Sequence, residues 1–208
     1  MAVRLESLTY KGQTSMRRRA GFTLVEATVA IGLTALAASV LLMGTTTSLG
    51  TGQDAQDQAI ALGMAEQLMD EVVGNRYMEY GVSPYQTALG PGADEANGTR
   101  ALFDDIDDFH AWRSQPPKDC CGIALGKDDG QGGTRDANFQ VPAGLFDRWR
   151  QEIDVCYVSE TDLTTALGSG KTSDYRAVEV RIMRDNPQGG ARQLARLRRV
   201  VAYVSPLP

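Results

Sequence analysis

The chain opens polar and basic, turns apolar for one long run, and is mixed from there to its end. Residues 22–43, FTLVEATVAIGLTALAASVLLM, hold a single charge, Glu26. A run of about 20 apolar residues is long enough to cross a bilayer as a helix. Residues 44–52, GTTTSLGTG, interrupt the pattern, because glycine and β-branched threonine weaken a helix. Helical period then returns. Ala61, Met64, Ala65, Leu68 and Val72 form an apolar stripe, with Asp54, Asp57, Gln58, Glu66, Asp70 and Glu71 on other faces. Gly74-Asn75 reads as the stop. A helix over 22–73 would run about 78 Å at ~1.5 Å per residue. Its first half suits a membrane or a bundle, and its striped second half suits packing on a globular body.

Residues 75–147 read as loop, with turns at Ser83-Pro84 and Gly90-Pro91-Gly92. Asn97-Gly98-Thr99 matches a glycosylation sequon and is read here as one more turn. Three strands follow. Over 148–158, Trp149, Gln151, Ile153, Val155 and Tyr157 share a face. Over 175–184, Val178, Val180 and Ile182 oppose Glu179 and Arg181. Over 193–204, Leu197, Val201 and Tyr203 fall together, with Arg199 interrupting. DNPQGG at 185–190 joins the last two as a hairpin. The fold class is therefore α+β: a long N-terminal helix packed on an antiparallel sheet of three or four strands, with a long loop region.

The 208 residues allow one domain with an appendage. Net charge is −5, but its distribution is lopsided. Residues 1–21 carry five basic groups against one acidic, leaving sixteen basic and twenty-five acidic in the remainder. An acidic balance argues against nucleic acid as a partner. One histidine and three cysteines fall short of the usual structural zinc frameworks. A basic cluster before an apolar span keeps the cluster cytoplasmic and places the body on the far side. A secretory signal would have a shorter apolar region and small residues at its end, and Met43-Gly44-Thr45 is a poor site of that kind.

Glu26 argues against a plain anchor, since an unpaired carboxylate in a membrane costs roughly several kcal/mol. No basic residue within the span could pair with it. A cut after Gly21 would create a free amine on Phe22 in the same layer. The residues RRRAGFTLVE at 17–26, followed by the apolar span, resemble the type IV prepilin leader and cleavage motif. The resemblance implies a pilin-like fold and four parts: a cleaved leader 1–21, a transmembrane and assembly helix 22–43, its amphipathic continuation 44–74, and a periplasmic or extracellular body 75–208. It also implies cleavage between Gly21 and Phe22 by a prepilin peptidase, N-methylation of Phe22, and pairing of Glu26 with the Phe22 amine of a neighbouring subunit. Such a chain is a structural subunit, a minor pilin or pseudopilin of a type IV pilus or type II secretion system. Its partners are other subunits, the peptidase, the inner-membrane assembly platform and the membrane. It is not an enzyme. The competing reading is a membrane-anchored binding module that never polymerises. A start at Met16 would give the short leader MRRRAG.

Asp104, Asp105, Asp107 and Asp108 lie within ALFDDIDDFHAW at 101–112. Two readings stay open. One is a hard-cation site, since calcium takes six to eight oxygens and some pseudopilins carry calcium in this region. The other needs no cofactor: an acidic turn anchored by Phe103, Ile106, Phe109 and Trp112. The string also resembles the F-D-D-V-D-D-Y-H-G stretch of minor pilins of the mannose-sensitive haemagglutinin type, with Ile106, Phe109 and Ala111 as departures. Cys156 paired with Cys120 or Cys121 would close a loop of about 35 residues, worth roughly 3–4 kcal/mol. The alternative is three reduced thiols. A cysteine nucleophile needs a base such as histidine, and the sole histidine, His110, has no evident orienting partner. Arg192, Arg196, Arg198 and Arg199 read as a solvated strand face or as a contact for a neighbour's acidic segment.

Overall fold

A computed structural model describes residues 21–96 and 98–205. Residues 1–20, with Met16 and its three arginines, the sequon residue Asn97 and residues 206–208 lie outside the described residues. The chain divides into two compact units, Met1–Thr51 and Gly52–Pro208.

One helix, α1, runs Leu24–Val73. It stays helical through residues 44–52, where the sequence predicts weakening. The hydroxyls of Thr45, Thr46, Thr47 and Thr51 bond back to carbonyls three or four residues earlier, at 2.8–3.0 Å. Each glycine there costs about 1 kcal/mol, which a helix already nucleated on both sides absorbs. The helix ends where expected, with the Gly74 N–H bonded to the Asp70 carbonyl at 3.0 Å.

In the second unit the predicted stripe is the buried face of α1. Ala61, Met64, Ala65, Leu68, Met69 and Val72 are all buried. They join Ile106, Phe109, Trp149, Ile153, Val155, Val178, Val180 and Ile182 in one core. The sheet is an antiparallel meander of four strands in chain order: β1 (Trp112–Ser114), β2 (Trp149–Tyr157), β3 (Tyr175–Asp185) and β4 (Ala191–Ala202). β2 alternates buried and half-buried throughout, and its five inward residues are those the sequence places on one face. Register sets Ile153 against Val180 and Val180 against Leu197. The hairpin closes through the Asn186 N–H to the Gly190 carbonyl, with Gly189 and Gly190 both at positive φ. Only glycine takes up that backbone cheaply.

The fourth strand, β1, falls in the loop-rich stretch 75–147, where the sequence shows no strand pattern. Three residues are too few to show a period, and the strand exists because Trp112 and Ser114 pair with Ile153 and Gln151. Arg199 does interrupt the inner face of β4, for a reason: it sits opposite Val178 and bonds Asp70 of α1 at 3.1 Å. Arg192 reaches Asp54 at 3.0 Å, and Arg184 pairs with Asp57. The acidic flanks of the stripe thus meet cations on the sheet.

Candidate functional site

The N-terminal motif sits at the start of α1. Gly21, Phe22 and Thr23 precede the helix. The Thr23 hydroxyl accepts the Glu26 N–H at 3.2 Å, and its carbonyl accepts the Ala27 N–H at 3.0 Å. Thr23 is therefore the N-cap, with Glu26 three residues on, the spacing of a capping box. That signal, threonine followed at three residues by glutamate, is legible in the sequence and gives the motif a structural role besides recognition. A carboxylate in the first turn is also favoured by the helix dipole. Phe22 is 78% exposed, and Glu26 is exposed beside it.

The first half of α1 is apolar and finds no cover among the described residues. Leu24, Val25, Val29, Ile31, Leu33, Leu36, Val40 and Leu41 are all exposed by more than half. An apolar surface of this length must be covered by lipid or other helices. The helix is long and apolar enough to cross a membrane once.

The acidic segment is built differently from a set of four converging carboxylates. Asp105 accepts the backbone N–H groups of Asp107 at 2.7 Å and Asp108 at 3.3 Å. Asp108 accepts those of Asp104 and Asp105 at 3.0 and 3.1 Å. Asp107 accepts from Arg176 at 2.6 Å and from Gln86. Asp104 pairs with Arg76 at the surface. The oxygens that converge are those of Glu95, Asp104 and Asp108, and separately those of Glu79, Asp104 and Asp105. Asp104 belongs to both groups, and one of its oxygens has no hydrogen-bond partner among the described residues.

Sequence reasoning missed Glu95 and Arg176. Glu95 caps its own turn through the Gly92 N–H at 3.1 Å and lies within hydrogen-bond reach of Asp108. Arg176 is fully buried, with Asp107 just 1% exposed. Its guanidinium also donates to the Tyr157 hydroxyl at 2.9 Å and the Pro84 carbonyl at 3.3 Å, and stacks 4.5 Å from the Tyr77 ring. Arg100 is a second clamp, bidentate to Glu71 at 2.9 and 3.0 Å and 4.3 Å over the Trp112 ring. These groups tie the long loop to α1 and the sheet.

Burial, reinforced by the hydrogen bond and charge of Asp107, pushes the Asp105 carboxyl up to about 8. Burial and the nearby Asp108 push Glu95 up to about 7, against the Gly92 N–H, which lowers it. Each acid therefore keeps its proton to higher pH in the folded chain than in the unfolded one. Both folded values lie above the unfolded ones, near 4, so the folded chain binds more protons across that window. The stability from this source is complete below about pH 4 and is lost as pH rises through about 7–8. Melting temperature is expected to fall from pH 5 to pH 8. Asp105→Asn with Glu95→Gln, which mimic the protonated acids, should flatten that slope. An unchanged slope in the double variant would contradict the raised carboxyls as its source.

The three cysteines are free thiols. Cys120 and Cys121 lie on the α1 side, in a cleft with Gln67 and Glu71. Cys156 alternates outward on β2 with Glu152 and Asp154. The sheet separates it from the other two, so the structure does not bring Cys156 together with Cys120 or Cys121. The four arginines of β4 each find an acceptor within the chain: Asp54 for Arg192, Glu179 for Arg196, the Leu163 carbonyl for Arg198 and Asp70 for Arg199. Asp105, Asp107 and Asp108 are buried, which removes them as contacts for a neighbour's arginines. The Nδ1 of His110 has no hydrogen-bond partner among the described residues.

A family model described as the prokaryotic N-terminal methylation motif matches residues 16–42. The chain matches no curated protein and no solved structure. The motif, the apolar helix and the helix-on-sheet body together make a pilin-like architecture with a membrane-anchoring N-terminal helix.

Proposed function

We propose that the chain is a structural subunit, a minor pilin or pseudopilin, of a type IV pilus or type II secretion system. The observation that carries this reading is the sequence GFTLVE at 21–26, inside the matched methylation motif and heading an apolar helix that none of the described residues covers. A prepilin peptidase cuts between Gly21 and Phe22 on the cytoplasmic side and methylates the new Phe22 amine. The helix holds the subunit in the bacterial inner membrane with its body in the periplasm. The assembly platform then draws it into a filament, where apolar helices bundle and Glu26 takes the Phe22 ammonium of a neighbour. In low dielectric each of these charges is costly alone and tolerable when paired. The subunit performs no catalysis and needs no cofactor for this role.

Gly21→Ser tests the first step. A Cβ at position 21 meets no atom within 4 Å among the described residues, so their packing gives no reason to resist it. Lost cleavage would then report on the peptidase. The uncleaved form is expected to accumulate in the membrane fraction with near-complete loss of the shorter one. Normal cleavage of the variant would contradict the site.

A further inference from the structure

Cys120 and Cys121 are neighbours in sequence, and their sulfurs lie 3.7 Å apart. Both side chains are exposed. The turn that carries them is fixed by its backbone. The Cys120 carbonyl accepts the Ala101 N–H at 2.9 Å, and the Asp119 carboxylate accepts the Ile123 N–H at 2.7 Å. Gly122, at φ +86°, reverses the chain directly after the pair. Over the sulfurs opens a cleft of about 290 Å³, edged by Gln67, Glu71 and Asp119, through which a small reagent can approach. The third thiol, Cys156, is on the far face of the sheet and offers no competing partner.

We infer that Cys120 and Cys121 form a reversible dithiol–disulfide pair, closed by reaction with a low-molecular-weight disulfide. This goes beyond the assembly role and does not depend on it. One sulfur, as thiolate, attacks the oxidant and releases half of it as a thiol. The second protein thiol gives up its proton, attacks the resulting mixed disulfide and releases the other half. Two protein thiols become one disulfide, and the oxidant disulfide becomes two thiols. The bond is no staple. It encloses almost no chain, so the chain-entropy gain is small. Adjacent Cα atoms, ~3.8 Å apart, are closer than the ~4.4–6.8 Å usual for disulfides, which favours ready reduction. Burial and the hydrogen bond between the sulfurs, with the charges of Glu71 and Asp119, raise the Cys120 thiol. Closure should therefore speed up as pH rises and more thiolate forms.

The test uses the full chain in detergent, incubated with oxidised glutathione, alkylated and cut with trypsin. Fragment 119–127 holds both neighbouring cysteines, and fragment 151–171 holds Cys156. The expected result is complete loss of alkylatable thiol from 119–127, with a mass lower by two hydrogens, reversed by dithiothreitol. Cys156→Ser should behave identically, and Cys120→Ser should end as a stable glutathione adduct on Cys121. Stable glutathione adducts on the wild-type fragment, two alkylated thiols there, or a cross-link to fragment 151–171 would each overturn the inference.

Discussion

Replacing Arg176 with methionine is expected to lower the melting temperature of the detergent-solubilised chain by roughly 6–20 °C. Arg176 is wholly buried and Asp107 almost so. Removing one partner of a buried pair leaves an uncompensated charge, at about 3–5 kcal/mol. In a domain of this size each kcal/mol moves the midpoint by about 2–4 °C. The loss reaches further than one pair. The same guanidinium holds the Tyr157 hydroxyl and the carbonyls of Tyr77 and Pro84, so it joins β3 to the chain leaving α1. Adding Asp107→Asn to Arg176→Met should recover part of the loss, because the stranded carboxylate is gone. Coupled sites of this kind are non-additive. A single variant that melts within about 2 °C of the wild type, or a double variant showing the plain sum of two losses, would contradict this role.

Glu26→Ala is expected to leave membrane insertion intact and to reduce filament incorporation at least tenfold. The change makes the span more apolar, so insertion should not suffer. Thr23 still caps the helix through the backbone N–H at position 26, so the helix start survives. What disappears, in the proposed assembly, is the partner of a neighbour's Phe22 ammonium. A tenfold change needs only about 1.4 kcal/mol, less than the cost of stranding a charge in the membrane. The ratio of subunit in sheared filaments to subunit in membranes reads the effect. Wild-type incorporation by the alanine variant would remove the pairing from the mechanism.

Periodicity made most of the fold legible. The stripe on α1 and the alternation on β2 and β3 are direct imprints of one buried face, and both emerged as predicted. The motif at 21–26 was legible because its chemistry is compact in sequence. The polar interior was harder. Asp104, Asp105, Asp107 and Asp108 look alike in sequence, yet one pairs with Arg76, one with Arg176, and two hold the turn's own backbone. Their partners lie far away in the chain, so no local spacing announces them. Arg176 did leave a trace, since it has the same parity as the core residues Val178, Val180 and Ile182. Charge alone argued for the surface, and tertiary pairing overrode it. The cysteines follow the same logic: loop length leaves open a closure to Cys156, while the faces of β2 decide which thiols lie together.

The most direct measurement is the intact mass and N-terminal sequence of the protein isolated from membranes. The account predicts a chain that begins at N-methylated Phe22. A chain that begins at Met1 or Met16, with its leader attached, would contradict it and leave a simple membrane anchor.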